Sequence, residues 1–178
     1  MSNITIRRES TEDYAAIRAL IVETFSAAYG SGNLEADLVE RLRAQTAFGA
    51  NISLVALQDD QPVGHIFFSG VRIVDYPHIP ACALAPLCVA HSLQRQGIGS
   101  RLVQQGLLAC HGAGYRAAFV QGSLAYYARF GFAPIDQYQL HTVFLSDHDM
   151  ALALEEGALD SVSGQVDYPP PWDQLRDM

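Results

Sequence analysis

Apolar and polar residues alternate in Ile4-Thr5-Ile6, the period of a half-buried strand. Ser10 follows with Asp13 three residues on, a polar pair that opens helices, and Tyr14, Ile17, Ile21 and Phe25 then recur along one helical face. Gly30-Ser31-Gly32 ends that helix, and Leu34, Leu38 and Leu42 at four-residue spacing predict a second. Ile52 to Leu57 and Val63 to Phe68 read as strands, joined by a hairpin turn at Asp59-Asp60-Gln61-Pro62. Pro77 and Pro80 bracket a loop, after which a strand over Ala83–Val89, a helix over Ile98–Cys110 and a short buried strand over Ala117–Val120 follow. Gln139–Phe144 and Met150–Leu154 predict two more strands, and Tyr168-Pro169-Pro170-Pro171-Trp172 a polyproline arm packed on the body.

The short hairpin demands antiparallel pairing, whereas strand, helix and strand over 83–120 demand a parallel pair, so the class is α/β with a mixed sheet. At 178 residues and 49% hydrophobic composition the chain can bury one core, which predicts a single domain over 1–178. Its core spans 4–154, with a Pro-rich C-terminal arm over about 164–178. There is no run of 18 apolar residues to cross a membrane and no apolar signal core in Met1–Arg8, which predicts a cytoplasmic protein. Cys82, Cys88 and Cys110 lack metal or redox spacing and read as free buried thiols.

A net charge of -8 argues against nucleic acid or an anionic membrane as partner. All eleven basic residues are arginine, and from Asp136 onward the only cation is Arg176, so the C-terminal part presents a solvated acidic face. Asp147-His148-Asp149 is a solvated turn by this reading, because adjacent side chains cannot converge on one ion, and no metal is expected.

The chemistry concentrates in Gln94-Arg95-Gln96-Gly97-Ile98-Gly99-Ser100, between the apolar strand and its helix. Two glycines let the backbone approach a ligand, and the first-turn N–H groups with the helix dipole favour an anion. A P-loop would need lysine after its last glycine, where Ser100-Arg101 stands; a dinucleotide turn would need a third glycine, where Leu102 stands. Downstream, Gln121-Gly122-Ser123 leads into Leu124-Ala125-Tyr126-Tyr127-Ala128-Arg129-Phe130-Gly131-Phe132.

Gln-x-x-Gly-x-Gly after the Leu84–Val89 strand, with Tyr127 five residues before the Phe of a Gly-Phe pair, resembles the GNAT superfamily of acyl-CoA N-acetyltransferases. The likeness is strongest over about 81–134, and the Gly64–Ser69 and Gly164–Trp172 segments resemble a subset of bacterial members with mostly unassigned substrates. It implies a mostly antiparallel mixed sheet with helices on both faces and a central parallel pair splayed to hold acyl-CoA. Acetyl-CoA is then the co-substrate. Its pyrophosphate would sit on the amides of Gln96, Gly97, Ile98, Gly99 and Ser100, with Gln94 and Arg95 flanking and Ser123 among the cofactor contacts. Arg95 or Arg101 could reach the 3′-phosphate, although Arg101 also fits a plain surface position. Leu87 and Val89 would pair their backbone with the pantetheine arm, and an amide near Cys88 would polarise the thioester carbonyl.

Tyr127 is then the catalytic acid for the leaving thiolate, because a phenol stays protonated at neutral pH; Tyr126 packs or lines the acceptor pocket. The general base is left open among His65, His91, Asp75, His78 and a water chain. An acyl-Cys88 intermediate is disfavoured by its apolar strand and by the lack of an evident His-Asp partner. The implied acceptor is a small-molecule or peptide amine, on a monomer or homodimer. A non-catalytic acyl-CoA sensor and an enzyme using a longer acyl donor are the alternatives.

Overall fold

In a computed structural model, which describes residues 3–30, 32–144 and 146–175, the chain opens with strand β1 (Ile4–Arg8). Ser31 and Arg176, both used in the sequence reading, lie outside the described residues. Helices α1 (Tyr14–Tyr29) and α2 (Asn33–Arg43) follow, then strands β2 (Ile52–Gln58), β3 (Gln61–Ile73) and β4 (Ala81–Val89). Helix α3 (Ile98–Gly112), strand β5 (Ala117–Gln121) and the short helix α4 (Leu124–Tyr127) come next. Strands β6 (Ala133–Pro134), β7 (Leu140–Thr142), β8 (Asp149–Ala153) and β9 (Gly164–Asp167) complete the sheet, and a 3₁₀ helix over Pro170–Leu175 closes the described chain.

The sheet runs β1-β2-β3-β4-β5-β8-β6, with β9 joined to β3 and β7 to β9. Local chemistry sets the elements as expected at several points. Ser10 donates its backbone N–H to the Asp13 carboxylate at 2.7 Å, the return half of a capping box. Asp59 and Asp60 both take left-handed φ, 49° and 60°, which a tight β2–β3 turn needs and Asp tolerates. β3 runs past the expected Phe68 to Ile73. Within that extension Gly70 is required, because a side chain there would strike the Phe48 carbonyl.

Both faces of the sheet are covered, so β3 reads as an apolar run rather than an alternation. Phe67 and Phe68, neighbours in sequence and both fully buried, point into opposite layers. Phe67 joins Ile17, Ile21, Leu38 and Leu42 of α1 and α2; Phe68 joins Leu102 and Val103 of α3, where Gly106 admits its ring. The expected two-faced layering and mixed sheet are present.

The parallel pair is β4 with β5, in register from Ala81↔Ala117 to Leu84↔Val120, and there it stops. β4 continues to Val89 on β3 alone, after a bulge in which Ala85 and Pro86 oppose the single Phe67. Proline, with no N–H to give a ladder, suits that position. Past Leu84 the two strands part into a fork.

The C-terminal segment departs from the polyproline expectation. Gly164–Asp167 is a strand on β3, and the prolines lead into 3₁₀ geometry, which their φ near -65° admits equally well. Burial of Tyr168 and Trp172 decides between the two forms: their rings meet at 4.8 Å and the Trp172 indole N–H donates to Ser69 Oγ at 3.0 Å. β7 is also shorter than the Gln139–Phe144 strand expected, since Gln139 takes a left-handed φ of 56° in the preceding turn. Asp149 is not solvated as expected: it is 4% exposed and accepts a hydrogen bond from the Thr142 hydroxyl.

Trp172→Ala should therefore destabilise the fold by about 3–5 kcal/mol in denaturant unfolding. A loss under about 1 kcal/mol would show the segment to be a surface appendage.

Candidate cofactor and catalytic site

A cavity of about 670 Å³ opens at the fork between β4 and the start of α3. Leu87, Cys88 and Val89 form its strand wall, and Gln94, Arg95, Gly97, Gly99 and Ser100 its loop wall. Two segments singled out separately in sequence thus face one space. Gly97 caps α3 with a left-handed φ of 84°, and Arg95 is also left-handed at 61°. The first intrahelical bond runs from Arg101 N–H to the Gly97 carbonyl at 3.0 Å, so the amides of Ile98, Gly99 and Ser100 precede it and have no partner within the helix. Gln94 braces the loop by donating its side-chain amide to the Val89 carbonyl at 3.0 Å.

The side chains of Gln96 and Ile98, both expected to act through their amides, and Ser123 are not part of this wall. Gln96 turns its amide to the Ser92 carbonyl, the Ile98 side chain is buried in the α3 core, and Ser123 accepts the N–H groups of Tyr126 and Tyr127 through its carbonyl. The Arg101 guanidinium donates to the Ile4 carbonyl at 3.1 Å, the plain surface role. Thr24 of α1, Leu93 and Arg129 complete the lining. Sequence reasoning passed over all three; Thr24 could be found only by knowing how α1 lies on the sheet, whereas Arg129 follows Tyr126 by three residues.

Adjacent tyrosines take different positions. Tyr126 is on the cavity wall beneath the Arg129 guanidinium, 4.9 Å from its ring centre, and its hydroxyl lies 2.9 Å from where a Gly99 side chain would begin. Tyr127 is 9% exposed and its ring packs against Gly122, directly after the end of β5. The two rings touch edge to face at 5.0 Å. Tyr126 therefore stands at the helix end of the cavity, whereas Tyr127, the expected acid, packs beside the end of β5 and is not among the residues that line it. Burial first, then the nearby Tyr126 and Tyr29, push the Tyr127 phenol above its ordinary value, so it holds its proton.

Behind the strand wall lies a buried charged group. His65 pairs across β3–β4 with Cys88, and its Nε2 sits 2.9 Å from Ser53 Oγ and 3.4 Å from the Glu9 carboxylate. Arg43 grips Glu9 with two donors at 3.0 and 2.8 Å while stacking 3.7 Å over the Tyr14 ring. Burial opposes ionisation of Glu9, but the hydrogen bonds from His65 and Arg43 outweigh it and hold the acid at about 2. Burial lowers the His65 pKa and keeps the imidazole neutral, against the pull of Glu9. A His-Glu pair thus does stand opposite Cys88, an arrangement not evident in the sequence. Burial nevertheless pushes the Cys88 thiol up to about 12, which makes it a poor nucleophile.

His91, Asp75 and His78, the other candidate bases, are not among the residues that line the cavity. Among the described residues no group of three or more His, Cys, Asp or Glu could hold a metal ion, and no helix is long and apolar enough to cross a membrane.

Residues 14–132 match the model of the acetyltransferase (GNAT) family. The chain is 31% identical over 166 residues to the uncharacterized N-acetyltransferase YhbS of Escherichia coli K12, covering 92% of this chain and 95% of that protein. The crystal structure of E. coli YhbS in complex with CoA superposes with a TM-score of 0.86 at 30% identity, over 97% of this chain and 93% of that one. A GNAT acetyltransferase from Brucella melitensis in complex with acetyl-CoA gives 0.79 at 33% identity, over 97% and 100%.

The buried Glu9–His65 group makes acid sensitivity a direct readout of the wall behind the cavity. Both groups have folded pKa values below their ordinary ones of 4.5 and 6.5, so the unfolded chain binds protons more readily. Their stabilisation is complete above those values. The His65 share is lost as pH falls below 6.5 and the Glu9 share between 4.5 and about 2. Glu9→Gln should flatten the lower limb of a thermal-midpoint-against-pH curve; an unchanged lower limb would place the acid sensitivity elsewhere.

Proposed function

The chain belongs to the GNAT acetyltransferase family and is an acyltransferase, and we propose that it transfers acetyl from acetyl-CoA to a primary amine by direct attack in a ternary complex. One observation carries this reading: the open edge of β4 and the N-terminus of α3 face the same cavity. A nucleotide-tailed thioester needs both, an anion seat for its diphosphate and a strand-like edge for its amide-bearing arm.

The diphosphate lies on the amides of Gly97 to Ser100, with Arg95 and Arg129 supplying positive charge at the cavity wall. The pantetheine arm runs along Leu87–Val89 into the fork, where β5 no longer competes for the backbone groups of β4. A β4 amide near Cys88 polarises the thioester carbonyl. The ammonium first gives one proton to water, and the neutral nitrogen then forms the new C–N bond as the C–S bond breaks. Tyr127, a phenol protonated at neutral pH beside the end of β5, acts as the acid for the departing sulfur, and the second proton that the nitrogen sheds on becoming an amide replaces the one it gives. The raised Cys88 pKa supports direct attack over an acyl-cysteine intermediate.

Gly99→Val should weaken CoA binding in calorimetry by about 10- to 100-fold, because a side chain there displaces ligand from charge-assisted amide bonds and collides with Tyr126. Unchanged affinity removes the loop from the cofactor site. Tyr127→Phe should lower kcat by about 100-fold or more while the CoA dissociation constant stays within about twofold. Equal turnover by that variant eliminates Tyr127 as the acid.

A further inference from the structure

A second opening adjoins the cavity at the fork. It is a groove of about 630 Å³, and among the described residues Arg129 alone lines both spaces. Its α3 wall is Gln104, Leu107, Leu108 and His111, at the spacing of one helical face. Phe130, Leu152 and Leu154 stand across from them. The surface between is apolar yet open, and Leu108 is 72% exposed, an arrangement that a ligand with a flat apolar face would relieve.

The cation at the junction is uncommitted. Arg7, Arg18, Arg43 and Arg116 each meet a carboxylate, whereas Arg129 forms no ion pair among the described residues. Its guanidinium lies 4.9 Å from the centre of the Tyr126 ring, which orients the charge without neutralising it. In a chain of net charge -8, an oriented and unpaired guanidinium between two openings suits an anion brought in by a ligand. Arg101, expected in sequence as a phosphate anchor, is instead spent on the Ile4 carbonyl.

The spacing favours a phosphate other than the diphosphate. The Tyr126 hydroxyl lies 2.9 Å from where a Gly99 side chain would begin, so the Tyr126 ring stands between the amides of the loop and the guanidinium over its face. Along α3, Gln104 is one turn past Ser100, about 6 Å, and Leu108 one turn further. A nucleotide whose diphosphate rests at the start of α3 therefore carries its ribose past Arg129 and its base over the groove.

We propose that Arg129 receives the 3′-phosphate of the CoA ribose and that the adenine lies on the surface of Leu107, Leu108 and Phe130; this rests on the acetyl-transfer reading above. The chain thereby recognises its donor by the nucleotide end as well as by the thioester arm, and distinguishes CoA from dephospho-CoA.

The test is calorimetry of CoA and dephospho-CoA, with thermal midpoints, on the wild type, Arg129→Gln, Arg95→Gln and Leu108→Gln. The wild type should bind CoA about 10- to 100-fold tighter than dephospho-CoA, the range of a charge-assisted contact. Arg129→Gln should abolish that preference by weakening CoA, with dephospho-CoA within about threefold of its wild-type affinity. Arg95→Gln should weaken both ligands and keep the preference. Leu108→Gln should weaken both by about 3- to 10-fold through lost apolar contact, at the thermal midpoint of the wild type. Equal wild-type affinity for the two ligands overturns the proposal, as does a preference that survives in Arg129→Gln or vanishes in Arg95→Gln. Leu108→Gln binding both as the wild type does, or weakening them only with a lowered thermal midpoint, overturns it too. A wild type that binds neither ligand is a different failure, that of the acetyl-transfer reading, and the proposal falls with it.

Discussion

Two parallel strands that stop sharing hydrogen bonds leave backbone donors and acceptors facing open space, and β4 does this beyond Leu84, where its pairing with β5 ends. In a sheet interior such an edge is costly unless something else takes those groups. Here β3 holds β4 in place from the other side through Val89, so the edge is rigid as well as open. The bulge at Ala85-Pro86 lies where β4 separates from β5. The covering helices, the loop at Gly97 and the tyrosine pair are all arranged around that opening.

Burial sorts the ionisable groups around the fork by sign. It favours the neutral form of Tyr127, Cys88 and His65, while Glu9 is driven to stay charged by hydrogen bonds from His65 and from the two donors of Arg43. A thiol that keeps its proton is an unreactive wall. Burial thus disfavours an acyl-cysteine route.

The fold was legible in sequence wherever local pattern and tertiary demand agree. Tyr14, Ile17 and Ile21 mark α1 by spacing, Asp59-Asp60 marks the hairpin by turn chemistry, and the loop from Gln94 to Ser100 marks the start of α3 by its glycines. Legibility failed where long-range contacts decide. Nothing local in Tyr168-Pro169-Pro170-Pro171-Trp172 shows that Ser69, a hundred residues earlier, accepts the indole N–H. Asp149 has the same character: its neighbours suggest a wet turn, but Thr142 and the end of β5 enclose it. The site divides similarly, because the loop glycines follow from spacing, whereas Thr24 depends on how α1 crosses the sheet and the Glu9–His65 pairing on the lateral order of β1, β2 and β3.

The account is tested most directly by a crystal structure of the chain grown with CoA. It predicts the diphosphate on the amides between Gly97 and Ser100 and the pantetheine arm beside Leu87–Val89, with its sulfur at the fork near Tyr127. CoA bound elsewhere, or an arm that leaves the β4 edge untouched, would contradict it.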